Sequence, residues 1–277
     1  MLRVQLEDGN SQGAVLGVNP NGTLNVLPRD LFLEVQKGNL PDYKIVHKFG
    51  RNDTVPNGSW EMITLLSRAT FFPSAAATVR VKAGGNAADT AAGAGAQEVT
   101  VQGIDTSLNE VTEKIATAGA SASSATTTSF WRVHRAWVSA VGTYGVANTA
   151  AITIEDSGGA NDLTMIAVEE GQTQDAVFTI PSGWTGHFMS AFVTVDASKA
   201  ADIKLCARGN ITDTTAPMAS IRLKNYWDGV AGILQFSPHT PVGGLVGPHD
   251  LWFEAQGGGA GTEVSADFEL LLVRNQT

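Results

Sequence analysis

Apolar and polar residues alternate along most of this chain with a period of two. The run "ATVRVKA" (77–83) places Val79 and Val81 on one face and Arg80 and Lys82 on the other. "FWRVHRAWV" (130–138) places Trp131, Val133, Arg135 and Trp137 on one face, apolar except for one arginine. "ADFELLLV" (266–273) gathers Ala266, Phe268, Leu270 and Leu272, with Asp267 and Glu269 pointing the other way. A period of two marks a strand with one packed face and one wet face. Runs of the same kind recur between Gly, Asn and Pro: "SWEMITLL", "QEVTVQG", "EVTEKIATAG", "AAITIED", "LTMIAVEEG", "DAVFTIPSG", "GHFMSAFVTVDA", "ADIKLCARG", "MASIRLKNYWDG", "GILQFSPH", "DLWFEAQGGG" and "EVSADFELLLVRN". No convincing helix exceeds two turns, with "TSLNEVTEKIA" the stretch that best suits one of that length. The pattern predicts an all-β chain, an antiparallel β-sandwich of jelly-roll-like form in one or two units.

The first forty residues read differently, as an extended arm. Pro20, Asn21-Gly22 and Pro28 are turn or extended signals. Asn21-Gly22 between "AVLGV" and "TLNVL" predicts a hairpin with a primed turn. "DLFLEVQKG" suits a strand or one short helix equally. The chain therefore divides into an N-terminal arm (1–40), a first β region (41–128) and a sandwich region (129–277) that can run on from the one before it. Two stretches of small residues interrupt the strands. "AGGNAADTAAGAGA" (83–96) reads as a long exposed loop, and "AGASASSATTTS" (118–129) as a linker or the lead-in to a strand.

Composition narrows the function. Among 277 residues, 43% are hydrophobic but only 16% are charged, below the roughly 25% of an ordinary soluble domain. Small side chains and turns make up the difference. A formal net charge of −9 and the absence of any basic run argue against nucleic acid, whose phosphates demand clustered Lys and Arg. The N-terminus lacks the apolar core of a signal peptide, and no segment reaches the ~18 apolar residues of a membrane span. The expectation is synthesis in a cytoplasm with no membrane partner. A single cysteine, Cys206, excludes an intramolecular disulfide, and its strand setting suits a small packed side chain better than a reactive thiol.

Chemistry-bearing residues are scattered. "VTVQGIDTSLNEVTE" opens as a strand, breaks at Gly103 and then carries Asp105, Glu110 and Glu113, which read as surface or inter-subunit carboxylates rather than a catalytic pair. The histidines His47, His134, His187, His239 and His249 lack the close spacing of a zinc site, although His239 and His249 flank "HTPVGGLVGPHD" beside Asp250. Asp156, Asn161 and Asp162 in "EDSGGANDL" lack the ligand order of a calcium loop and read as a polar hairpin turn. Nucleophile elbows and phosphate loops are absent. No catalytic residue, metal or cofactor is expected. Of the tryptophans (Trp60, Trp131, Trp137, Trp184, Trp227 and Trp252), Trp184 lies in a tight Pro-Gly turn that suits exposure. Trp227 sits beside Tyr226 near a turn. Trp184, Tyr226 and Trp227 are the candidate glycan-stacking or interface aromatics.

One resemblance gathers these features. "GNLPDYKIVHKFGRND", the small-residue stretch leading into "QEVTVQGIDTSLNEVTE", "FWRVHRAWVSAVGTYG" and the closing "DLWFEAQGGG" with "VSADFELLLV" resemble, in that order, virion structural proteins of tailed bacteriophages of the aquatic and marine type. The resemblance covers residues 38–273 and rests on the ordered set, not on one diagnostic motif. It implies a non-enzymatic, β-rich virion component in many copies, at the capsid surface, neck or a tail appendage. Its partners would be itself, as a homo-oligomer, and other virion proteins, after synthesis in the host cytoplasm. It supplies no catalytic residues. The alternative is a carbohydrate- or receptor-binding sandwich of a virion fibre or spike that takes a host glycan. A polysaccharide-cleaving enzyme is a third reading and needs two carboxyls converging in a cleft.

Overall fold

A computed structural model of the protein describes residues 30–84, 87–196, 198–213, 220–238 and 241–276. The hairpin expected at Asn21-Gly22 and most of the arm lie outside these residues, as does His239. The chain forms two compact units, Met1–Pro41 and Asp42–Thr277. In the first, "DLFLEVQ" is a helix, α1 (Leu31–Gln36). Asp30 decides the matter as its N-cap, accepting from the backbone N–H of Phe32 at 2.9 Å and Leu33 at 3.3 Å.

The second unit is built from strands. In chain order they are β1 (Tyr43–Val55), β2 (Glu61–Met62), β3 (Ala77–Ala83), β4 (Ala96–Asp105), β5 (Glu110–Ala116), β6 (Ser129–Val141), β7 (Ile152–Asp156) and β8 (Asp162–Ile166). The rest are β9 (Val177–Ile180), β10 (Trp184–Val195), β11 (Ala201–Gly209), β12 (Arg222–Val230), β13 (Gly232–Phe236), β14 (Val242–Val246), β15 (His249–Gly257) and β16 (Thr262–Arg274). All paired strands are antiparallel, as the alternating pattern predicts.

Two five-stranded sheets make the sandwich. One runs β1-β16-β10-β13, with β14 also on β10; the other runs β12-β11-β15-β2, with β9 also on β15. Between them lies an apolar core that includes Phe188, Val193, Ile203, Leu205, Phe253, Phe268 and Leu270. The four residues assigned to one face of β16, Ala266, Phe268, Leu270 and Leu272, are all buried there. Phe253 and Phe268 meet at 5.6 Å between ring centres.

The third sheet, β5-β4-β6-β3-β7-β8, curls on itself. Strand β6 pairs with β4 along most of its length and with β3 at Ser129 and Phe130. Farther along, β6 bonds to the 171–173 segment through Thr173 N–H to Ala136 O and Val138 N–H to Gly171 O. Strand β8 reaches the same segment at Ile166 and Thr173. The sheet thus wraps a second core of Val79, Val81, Val99, Val101, Ile115, Ile152, Ile154 and Ile166. Residues 41–128 and 129–277 are not separated here by a sheet boundary, since β4 and β6 pair across it.

Both small-residue stretches are structural. In 83–96, Asp89 is fully buried and accepts from the N–H groups of Ala96, Thr149 and Ala150 at 2.8–3.0 Å. In 118–129, the Ser123 and Thr126 hydroxyls accept from Val81 N–H and Val79 N–H, while their own N–H groups donate back to the carbonyls of Val81 and Val79. Side-chain oxygens thus complete a ladder along β3.

Other expectations need correction. "TSLNEVTEKIA" is a turn and then β5, not a helix; Leu108 takes the left-handed conformation (φ 66) and Asp105 caps the turn. Gly103 does not break β4. It sits where the strand crosses β6 so closely that a Cβ would lie 2.0 Å from Arg132 O. "SWEMITLL" yields only the two residues of β2, and the "PVGGLV" loop contains β14.

Candidate functional site: a charged joint between the two β regions

The most consequential correction concerns β6. Its buried face carries Phe130, Arg132, His134 and Ala136, while Trp131, Val133, Arg135 and Trp137 are only half-buried. The face with two cationic residue types is the inner one because charged partners wait on the sandwich. Arg132 donates from Nη2 to Asp250 Oδ2 on β15 at 3.0 Å and from Nε to Asp250 Oδ1 at 3.1 Å. Arg208 of β11 shares that carboxylate at 3.4 Å, and Thr179 of β9 donates its hydroxyl to it at 2.7 Å. The Phe72 ring lies under both guanidinium groups, at 4.7 and 5.0 Å. Asp250 is fully buried and Arg132 is 4% exposed. Such a cluster holds geometry firmly, because losing either sign strands the other in a low dielectric.

A second cluster lies alongside. Lys48 of β1 is buried and donates its ammonium to the backbone carbonyl of His134. Burial pulls its pKa down to about 7, against the attraction of Asp175. Asp175 accepts from the Thr164 hydroxyl, and burial pushes its carboxyl above the ordinary range. Burial likewise lowers the His134 imidazole, helped by the charges of Lys48 and Arg135 and opposed by Glu110. His134 Nε2 faces Glu110 Oε1 at 3.4 Å, while Nδ1 has no hydrogen-bond partner. The Phe178 ring packs 4.8 Å from the imidazole. Burial alone would raise Glu110; His134 and Lys44 outweigh it and hold the carboxylate at about 2. Arg68 completes the joint, donating to the carbonyls of Asp162 at 2.5 Å and Leu163 at 2.6 Å.

The three early carboxylates are thus not brought together as a pair. Asp105 caps its own turn, and Glu110 joins the buried cluster. Glu113 accepts from Thr127 N–H at 2.6 Å and Thr128 N–H at 2.9 Å. Burial opposes ionisation of Glu113, and those bonds overcome it and lower its pKa.

The histidines are dispersed. His47 meets Asp267 at 2.8 Å on the surface, and His187 sits on β10. His249 begins β15 with Nε2 unbonded, its pKa lowered first by burial. Among the described residues, no three His, Cys, Asp or Glu side chains converge as metal ligands. Asp156 and Asn161 form the hairpin turn between β7 and β8. Cys206 is buried beside Met62 and Trp252, and burial together with Glu254 pushes its thiol up to about 12.

The aromatic candidates separate. Trp184 is 7% exposed, contrary to the exposure expected of its turn; Lys44 and Arg274 cover the ring at 4.8 and 4.7 Å. Trp227 packs into the sandwich against Phe253 and Phe236. Both it and Tyr226 lie within β12, a few residues before its turn into β13. Tyr226 is exposed, donates to Asp202 at 3.1 Å and stands 6.0 Å from Trp60, whose ring carries the Lys204 ammonium at 3.4 Å.

Arg132, Arg208, Lys48 and Asp175 escaped the sequence reading, and Asp250 was noted only beside His249, not as the partner of a buried arginine. The one signal was the Arg-His alternation opposite the tryptophans of β6.

No protein-family model matches the chain, and no curated protein matches it. Among solved structures it is similar to the infectious bursal disease virus VP2 subviral particle, with 8% identity over 84% of this chain and 72% of that one, at a TM-score of 0.22. T=1 particles derived from the same virus give 9% identity over 84% and 70%, at 0.23. Scores of this size establish neither a shared fold nor a shared role. No helix among the described residues is long and apolar enough to cross a membrane.

Proposed function

We propose that this chain is a non-enzymatic structural component of a tailed-phage virion, working through assembly with itself and with other virion proteins. The observation that carries this reading is a pair of free sheet edges. β12 ends one sandwich sheet and β13 ends the other, and among the described residues no strand pairs with their outer sides. Ala231 alone separates them, and Trp227 and Phe236 tie them together at 5.3 Å. Around these edges Ile221, Leu223, Tyr226 and Ile233 are exposed by 43–69%. An unpaired edge with exposed apolar residues is a liability unless another chain covers it. The ordered resemblance to phage virion proteins points the same way. Capsid surface, neck and tail appendage all suit such a component.

Sedimentation velocity should show a defined homo-oligomer of the purified chain, and Leu223→Lys with Ile233→Lys should shift it toward monomer. A chain that stays monomeric and does not join particles would sink the proposal. Residues 1–40 belong to it as an assembly arm; α1 exposes Leu31, Phe32 and Leu33. Deleting residues 1–38 should leave a folded body that no longer incorporates, and normal incorporation would dismiss the arm.

A second reading rests on Trp60 and Tyr226 with Asp202 and Lys204, an aromatic pair edged by polar groups of the kind that stacks on a sugar. Glycan-array binding lost in Tyr226→Ala would favour a carbohydrate-binding module instead.

A further inference from the structure

A cavity of about 40 Å³ lies inside the joint, lined by Thr64, Arg68, His134 and Asp175 together with apolar side chains such as Phe71 and Val177. Seven buried side-chain nitrogen and oxygen atoms lack a hydrogen-bond partner among the described residues. Four of them, Thr64 Oγ1, Arg68 Nε and both ring nitrogens of His134, belong to residues lining this cavity; His134 Nε2 faces the Glu110 carboxylate at 3.4 Å, which leaves three for the cavity. Thr64 and His134 are each 2% exposed, so bulk solvent does not satisfy them. An unmet buried donor or acceptor is costly, and native proteins rarely leave several around one space. A water needs about 10–15 Å³ and two to four polar partners, and this cavity exceeds both requirements.

We propose that the cavity is a binding site for a small cluster of ordered water that bridges Thr64, Arg68 and His134. The cluster mortars the curled sheet to the sandwich: Thr64 follows β2 and bridges to Asp175, whereas His134 belongs to β6. With its Nε2 turned to the Glu110 carboxylate, a neutral imidazole leaves Nδ1 as an acceptor for water. Arg68 Nε supplies a donor at the same space, and the Thr64 hydroxyl serves as either. The site takes water and not a bare anion, because the Asp175 carboxyl shares the lining.

The sign of one substitution tests this. Thr64→Val keeps the shape and removes a hydroxyl that has no protein partner. With water present, the change strips a ligand from the cluster, and Tm should fall by about 2–4 °C, the shift that a 1 kcal/mol loss produces at this chain size. In a dry cavity the same change removes an unsatisfied polar group, so an unchanged or raised Tm overturns the proposal. A high-resolution crystal structure of the full chain, grown with bromide in place of chloride, is the second measurement. It should show water density within hydrogen-bond distance of Thr64 Oγ1 and His134. An empty cavity, or an anomalous bromide peak there, refutes the site even if the variant fails to fold.

Discussion

The two faces of β15 show how differently this protein holds its parts together. Toward the sandwich, Leu251, Phe253 and Ala255 enter a core of aliphatic and aromatic groups. On its other face, Asp250 takes the buried guanidinium of Arg132 from the curled sheet, Glu254 accepts from Trp252 and Thr70, and Trp252 packs on Met62, Cys206 and Phe72. The sandwich core is adhesive in any orientation, since apolar burial is non-directional. The joint works only in one arrangement, because each buried charge depends on a specific opposite. Adhesion is thus supplied by the core, and registration of the two regions by the joint.

The largest contrast should come from removing a hub. Asp250→Ala leaves Arg132 and Arg208 buried without their counter-charge and should cost about 3–5 kcal/mol in urea unfolding. Replacing all three together by apolar residues of similar volume should recover most of that loss. If the single change costs no more than a surface substitution, the joint is not the ordered layer described here. A conservative change in the core should be milder: Phe268→Leu removes only part of a fully buried ring and should cost less than the ~3–5 kcal/mol of a Phe→Ala truncation.

A finer test is the pH dependence. His134 has a folded pKa below its unfolded value of 6.5, so the unfolded chain takes up the proton more readily. Stability should therefore fall as pH drops through 6.5, and His134→Leu should flatten that slope. The difference between the two proteins reports His134 together with Glu110, whose carboxylate it helps to hold down, while Asp175, with its raised pKa, acts with the opposite sign in both. A slope equal in wild type and variant would remove His134 from the joint's electrostatics. Lys48, lowered to about 7, should add a rise in stability between pH 7 and 10.5.

Much of the strand content was legible in the alternation. Val79 and Val81, and the four apolar residues of β16, stand where a period of two places them, because a pleated strand turns alternate side chains to opposite faces. α1 was half legible: Asp30 is a good N-cap, but six residues are too few for periodicity to separate helix from strand. The face of β6 was not legible. Its alternation separates Arg132 and His134 from Trp131 and Trp137, but it does not say which set turns inward. That choice belongs to Asp250, 118 positions along the chain, and to Lys48, 86 positions back. Likewise Asp89, Ser123 and Thr126 lie in stretches whose composition resembles loops, and they became structural only when distant N–H groups arrived to be bonded. The sequence by itself determined an antiparallel β protein with apolar strand faces, since those follow from local geometry and side-chain hydrophobicity. The tertiary structure alone decided which polar residues are buried, because burying charge is stable only beside a partner, and partners in a β fold come from remote parts of the chain.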